Sequence, residues 1–150
     1  MTLLEICRWL EDTSIATAIA ESDWLFPGVE AVHVIALTTV VGSIAMVDLR
    51  LLSLAFRNVE PARLIQSTLP VTWVAFGFAV VSGSLLFASA ATHYLDNGPF
   101  RYKLLLIGLA GVNMLVFHFL TGARGARFAG LASLLLWTGA VVLGRWIAFA

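Results

Sequence analysis

The sequence predicts an all-α membrane protein. The expected architecture is a four-transmembrane-helix bundle, up-down-up-down, behind an N-terminal amphipathic interfacial helix. Four long apolar runs (29–47, 71–91, 104–120 and 128–150) fill most of the 150 residues. Each is near the ~20 residues that a helix of 1.5 Å rise needs to cross a hydrocarbon core of about 30 Å. The chain is 60% hydrophobic and 12% charged, with a mean hydropathy of +0.94, outside the range of soluble globular domains. Short connections between the last three runs favour antiparallel neighbours.

Residues 1–22 form the first unit. Thr2-Leu-Leu-Glu5 fits a capping box, and Leu3, Ile6, Cys7 and Leu10 share one helical face. Asp12-Thr13-Ser14 is expected to end that helix and cap a second short one. This segment is too short and too charged to span, so it is expected on the membrane surface, as an anchor or a lid, with Trp9 in the interface. Glu5, Glu11 and Asp12 do not fit a cleavable signal.

Residues 23–150 form the transmembrane domain, with spans at about 27–50, 70–95, 99–121 and 128–149. Trp24-Leu-Phe-Pro27 reads as an interfacial entry with proline in the first turn. The segment from Ser53 to Pro70 reads as an extramembrane loop, and no span is expected to carry an internal proline. Asp96-Asn-Gly-Pro99 reads as a tight turn, and Thr121-Gly-Ala-Arg124-Gly-Ala-Arg127 as the last connection. Small residues at Thr38 and Gly42, Ser84 and Ala88, and Gly108 and Gly111 are expected where helices approach closely. Arg50, Arg57, Arg63, Arg124 and Arg127 fall on one side; Arg101, Lys103, Arg145 and Arg8 fall on the other. The arginine-rich side is therefore expected in the cytoplasm of a bacterial inner membrane, with both termini periplasmic.

Net charge is zero, which gives no sign of a nucleic-acid partner. The single Cys7 excludes an internal disulfide and supplies no zinc spacing. No nucleotide-binding, hydrolase or zinc-protease pattern occurs.

Ionisable groups at membrane depth are costly and mark candidate sites. Glu30 and His33 lie one turn apart on the first span, and Asp48 follows on the same face. Asp48 with Arg50 reads as a membrane-boundary device. His33 is six residues past Pro27 and His93 six before Pro99, an axial offset of about 5 Å. Two such imidazoles could bind iron or copper, or ligate haem b, with Arg101, Lys103 and Arg145 facing the propionates or lipid headgroups. His118 shares its level with Met46, and Met114 lies one turn away, a His/Met set suited to copper or haem. His33 and His118 are about 20 Å apart in depth, too far to share one metal, so two stacked sites or none are expected. Asn113 fits an interhelical hydrogen bond or a quinone carbonyl. A purely structural reading stands beside each of these: transmembrane histidines often only bridge helices, and methionine is ordinary packing.

Glu30-Ala-Val-His33, Gly42 and Val47-Asp-Leu-Arg50-Leu-Leu52, with Asn97-Gly-Pro-Phe100-Arg-Tyr-Lys103, Gly111-Val-Asn113 and Phe117-His118, resemble a bacterial four-helix integral membrane family of unknown function. The resemblance covers residues 24–149. More distantly, that family resembles copper-resistance D-type membrane proteins and b-type membrane cytochromes. The resemblance implies a four-helix bundle with His33 and His118 as the leading ligands; His93 does not match its pattern. Three functions follow as expectations. The first is a redox subunit that holds haem b or links a periplasmic dehydrogenase to the quinone pool. The second is copper handling by His33, His118, Met46 and Met114. The third is a non-catalytic membrane anchor or assembly subunit, partnered by another protein or by a second copy. The chain has too little extramembrane mass to be an enzyme alone on a soluble substrate.

Overall fold

A computed structural model describes residues 2–120 and 123–149, which contain helices and no strand. The helices are α1 (Leu3–Glu11), α2 (Ser14–Glu21), α3 (Leu25–Leu51), α4 (Pro61–Ser89), α5 (Ala91–Asp96), α6 (Gly98–Leu120) and α7 (Ala123–Trp146), followed by a 3-10 turn at Ile147–Phe149. The expected turn at Thr121-Gly122 and the Arg124 side chain lie outside the described residues.

Four stretches are long and apolar enough to cross a membrane: Leu25–Leu51, Pro61–Ser89, Gly98–Phe119 and Gly125–Phe149. At most 22% of any one of their most apolar windows is buried inside the protein. Trp24, Ile35, Val74, Phe119, Phe128 and Leu135 all point outward. Apolar helices that leave so much of themselves uncovered by protein need lipid as the covering solvent.

The packing centres on α3, which lies against α4 on one side and α7 on another; α6 lies against α7, and α4 makes no close backbone approach to α6. The buried stripe of α3 is Ala36, Val40, Ser43 and Asp48, and that of α4 is Leu64, Ala75, Ala79 and Ser82. These are mostly small side chains, which let helices approach where lipid removes any hydrophobic drive between them. The Ser43 and Thr72 hydroxyls meet at 2.7 Å, and His33 meets Ser82 nearer the other end, so α3 and α4 run antiparallel. Gly130 of α7 sits against the end of α3: a Cβ there would lie 3.3 Å from the Asp48 carbonyl oxygen.

The structure corrects the second span. Helix α4 starts at Pro61 and runs through Pro70, where a loop was expected. Pro61 at the first helical turn lacks only an N–H that would have no partner there anyway. Just before Pro70, the Ser67 and Thr68 hydroxyls both donate to the Leu64 carbonyl. The segment that remains between helices turns through left-handed Ser53 (φ 58°) and Phe56 (φ 53°). At the far end, α4 stops at Ala90 (φ −152°, ψ 44°), and α5 begins afresh. His93 is therefore on a separate helix and not inside the end of a span.

Both expected N-terminal caps form. Thr2 Oγ1 accepts from Glu5 N–H at 3.3 Å while Thr2 N–H donates to the Glu5 carboxylate at 2.7 Å; Thr13 Oγ1 accepts from Ala16 N–H. Helix α1 packs on α5 and α4, and α2 on α4 and α3, burying Cys7, Ala16 and Ile19. Glu11 accepts from both the backbone N–H (2.8 Å) and the hydroxyl (2.7 Å) of Thr92, capping the first turn of α5 from 81 residues away.

The expected close approaches are also corrected. Gly42, Gly108 and Gly111 have open space where a Cβ would go, and Thr38 and Ser84 are exposed. The glycines that meet another helix are Gly83, Gly130, Gly139 and Gly144.

Candidate functional site

Near the start of α3, the half-buried His33 imidazole fits into the seam with α4. Its Nδ1 lies 3.0 Å from Ser82 Oγ. Ser82 is 4% exposed, and its hydroxyl donates to the Phe78 carbonyl at 2.6 Å. With that hydrogen committed, the serine oxygen accepts, so His33 carries its proton on Nδ1. The imidazole also lies within hydrogen-bond reach of the Ala79 backbone, and Nε2 is the acceptor whenever the ring is neutral. Gly83 supplies the room: a Cβ there would stand 2.9 Å from His33 Cε1 and 3.4 Å from Nδ1.

Lys103 of α6 lies within Coulombic reach of the imidazole. Its half-buried stem crosses Gly144 of α7, where a Cβ would lie 3.3 Å from Nζ and 3.5 Å from Cε. Two glycines on different helices thus seat the two polar side chains. Glu30, one turn before His33, is exposed and lies within Coulombic reach of Tyr94 on α5. Burial first, and the Glu30 carboxylate second, raise the Tyr94 pKa, which keeps the phenol neutral. Tyr94 packs with Phe100 (centroids 5.2 Å apart) and Phe87 (6.2 Å), and those two stack at 5.6 Å. This aromatic trio joins α4, α5 and α6 beside the site. Buried Asn97 holds the same end together: its Oδ1 caps α6 through Phe100 N–H at 3.0 Å, and its Nδ2 donates to the Ile147 carbonyl at 3.2 Å.

Along α3 and α4, on a lipid-facing side, runs an apolar groove. Its upper part, about 400 Å³, is lined by Val29, Val32, Phe78, Val81, Leu85 and Ser82, among others. A lower part of about 520 Å³ shares Val32 and Phe78 and extends to Thr39 and Pro70. Ser82 belongs to both the groove wall and the His33 hydrogen bond.

The other candidates stand apart. His93 is exposed on α5. Arg101 is exposed and pairs with Asp96 at 3.5 Å, a surface contact of small energetic weight. Arg145 is exposed, with its guanidinium 5.0 Å from the Phe149 ring centroid. Asn113 donates to the Ala129 carbonyl at 2.9 Å, tying α6 to α7. His118 and Met114 are exposed on α6, with His118 edge-on to Phe119; Met46 is half-buried on α3. Asp48 is buried and has no salt bridge among the described residues, and Arg50 donates instead to the Val59 carbonyl, so those two do not form a pair.

These positions decide what the site can hold. His118 follows Lys103 by fifteen residues, about 22 Å along α6, and is far from the level of His33. His93 is exposed on its own helix, apart from the α3–α4 seam that holds His33. Among the described residues, no group of three His, Cys, Asp or Glu side chains could hold a metal ion, and Met46 and Met114 do not complete one. What the site does present is one imidazole and one lysine amine, between helices and next to a lipid-facing groove.

Ser82, Gly83, Tyr94, Asn97 and Gly144 were missed as site residues by sequence reasoning. The available signal was the Ser-Gly pair inside an apolar run, where a hydroxyl and a missing side chain together make a socket for a polar group. No protein-family model, curated protein or solved structure matches this chain.

Proposed function

We propose that this chain is a multi-pass protein of the bacterial inner membrane that serves as the membrane subunit of an oxidoreductase and links a periplasmic dehydrogenase to the quinone pool. In this reading the four spans form an up-down-up-down bundle with both termini periplasmic. Arg50, Arg57, Arg63 and Arg127 face the cytoplasm, and α1 lies in the outer interface with Trp9 exposed to headgroups.

The observation that carries the reading is the seat of His33 against Ser82 with Lys103 nearby; in this reading Nε2 faces the ligand. A quinone carbonyl needs a hydrogen-bond donor, which Lys103 supplies. A quinol hydroxyl needs an acceptor, which His33 Nε2 supplies. The two redox forms are thus recognised by different partners in one site. The apolar groove beside Ser82 offers the isoprenoid tail a path from the bilayer. Electrons come from the redox cofactor of the partner subunit: quinone takes up two electrons and two protons to give quinol, and this chain supplies binding and proton contacts. Among the described residues no group of three His, Cys, Asp or Glu side chains could hold a metal ion, which supports the quinone reading over copper.

The test is titration of the full-length protein in lipid nanodiscs with a short-tailed quinone, followed by tryptophan quenching. The expected result is one saturable site, weakened at least about tenfold in His33→Ala and Lys103→Met and unchanged in His118→Ala, a loss on the scale of one charged hydrogen bond. Equal binding by all variants, or none, would return the polar residues to a structural role. A Soret band that disappears in His33→Ala would replace quinone with haem.

A further inference from the structure

A second polar site lies at the opposite end of α3. Asp48 is 5% exposed, and its Oδ2 has no hydrogen-bond partner. The Ser133 hydroxyl of α7, itself buried, is a hydrogen-bond partner of the carboxyl. The enclosure is tight because Gly130, one turn before Ser133, brings the α7 backbone against the Asp48 carbonyl and the Leu51 Cβ.

Among the described residues, charged groups near this end do not neutralise the carboxyl; the Arg124 side chain lies outside them. On α3, Arg50 is turned to the Val59 carbonyl. On α7, Arg127 is exposed. Helix α4 turns its buried Leu64 inward, with Arg63 exposed beside it. No ion pair to Asp48 exists among the described residues. An ionised carboxylate left like this would carry the full cost of desolvation with nothing to offset it. A metal cation would find too few oxygens, because hard cations take six to eight and no cluster of acidic or histidine side chains is present among the described residues. A proton meets neither objection.

We propose that Asp48 is a proton-binding site within the membrane-spanning part of the protein, exchanging its proton with the arginine-rich end. The neutral acid is the form that the α3–α7 interface accommodates. Proton uptake forms one O–H bond on the carboxyl, with the proton drawn from water at that end. Release leaves an anion that must be hydrated by loosening the contact at Gly130. This inference does not rest on quinone binding. Between Asp48 and His33 the inner face of α3 carries buried Ser43, which bonds Thr72, and then buried Val40 and Ala36, so no ionisable group on that face links the two sites.

The experiment is infrared spectroscopy of the full-length protein in nanodiscs at neutral pH. The expected result is a carboxylic-acid C=O band that is sensitive to deuterium, absent in Asp48→Asn, and reversibly lost as pH rises. Asparagine resembles the neutral acid in shape and should keep the fold. If it does not, Ser133→Ala carries the test, because loss of its hydrogen bond must shift the band. Absence of the band at neutral pH, a band that persists in Asp48→Asn, or one unmoved by Ser133→Ala would each overturn the proposal. So would a band that appears only when sodium is removed, which would assign the site to a cation.

Discussion

His33 and Ser82 are joined at 3.0 Å across the α3–α4 seam, and the serine hydrogen is already committed to the Phe78 carbonyl. That one contact fixes which imidazole nitrogen carries the proton. Removing it in Ser82→Ala should cost about 1 kcal/mol, the usual net worth of one hydrogen bond. Thermal unfolding in detergent measures that cost, and an unchanged midpoint would mean that the contact does not hold the seam.

The socket at Gly83 gives a sharper contrast. Gly83→Ala places a methyl 2.9 Å from a ring carbon that Ser82 holds in place, so overpacking should destabilise by about 1–3 kcal/mol. Gly108→Ala, which meets nothing within 4 Å, should be neutral or stabilising by up to about 1 kcal/mol. The same unfolding assay compares them, and equal behaviour would remove the socket from the account.

Asn97 serves two helices at once. Asn97→Ala removes the α6 cap and the tie to Ile147, with an expected loss of about 2 kcal/mol for a cap plus a second hydrogen bond. Asn97→Asp retains the capping oxygen and lacks the Nδ2 donor, so it should fall between the two. An aspartate variant as unstable as alanine would contradict the capping role.

Tyr94 makes a pH-dependent prediction. Burial and Glu30 hold its pKa above the ordinary phenol value, so its contribution to stability is present below that ordinary value and fades as pH rises through the raised one. A phenolate absorbance titration of the folded protein should therefore show one of the two tyrosines ionising late. Glu30→Gln should move that transition part of the way down, since burial is the larger cause. No movement would separate Glu30 from this end of the bundle.

How much of this could be read from the chain depends on how local each cause is. The four apolar runs, the Thr2–Glu5 capping box and the turn around Asn97 are local patterns, and each appears in the structure. The break at Ala90 was not legible, because its flanking residues read as continuous helix. Just past it, the Glu11 carboxylate, 81 residues earlier in the chain, caps Thr92, a contact that no local pattern signals. The extension of α4 back to Pro61 was missed because proline and charge read as loop, whereas a first-turn proline does not oppose a helix. At the site, His33 stood out as an ionisable group in an apolar run. Ser82, Gly83 and Gly144 did not, since only the packing of α4 against α3 and of α7 against α6 gives those small residues a partner.

The most direct measurement is the nitrogen NMR spectrum of the imidazoles in full-length protein with ¹⁵N-labelled histidine, recorded in nanodiscs without and with quinol. The account predicts that the His33 ring, assigned by its loss in His33→Gln, is neutral, protonated at Nδ1, and shifted at Nε2 when quinol is added. A ring protonated at Nε2, or an Nε2 signal that quinol leaves in place, would contradict the assignment of His33 as the quinol acceptor.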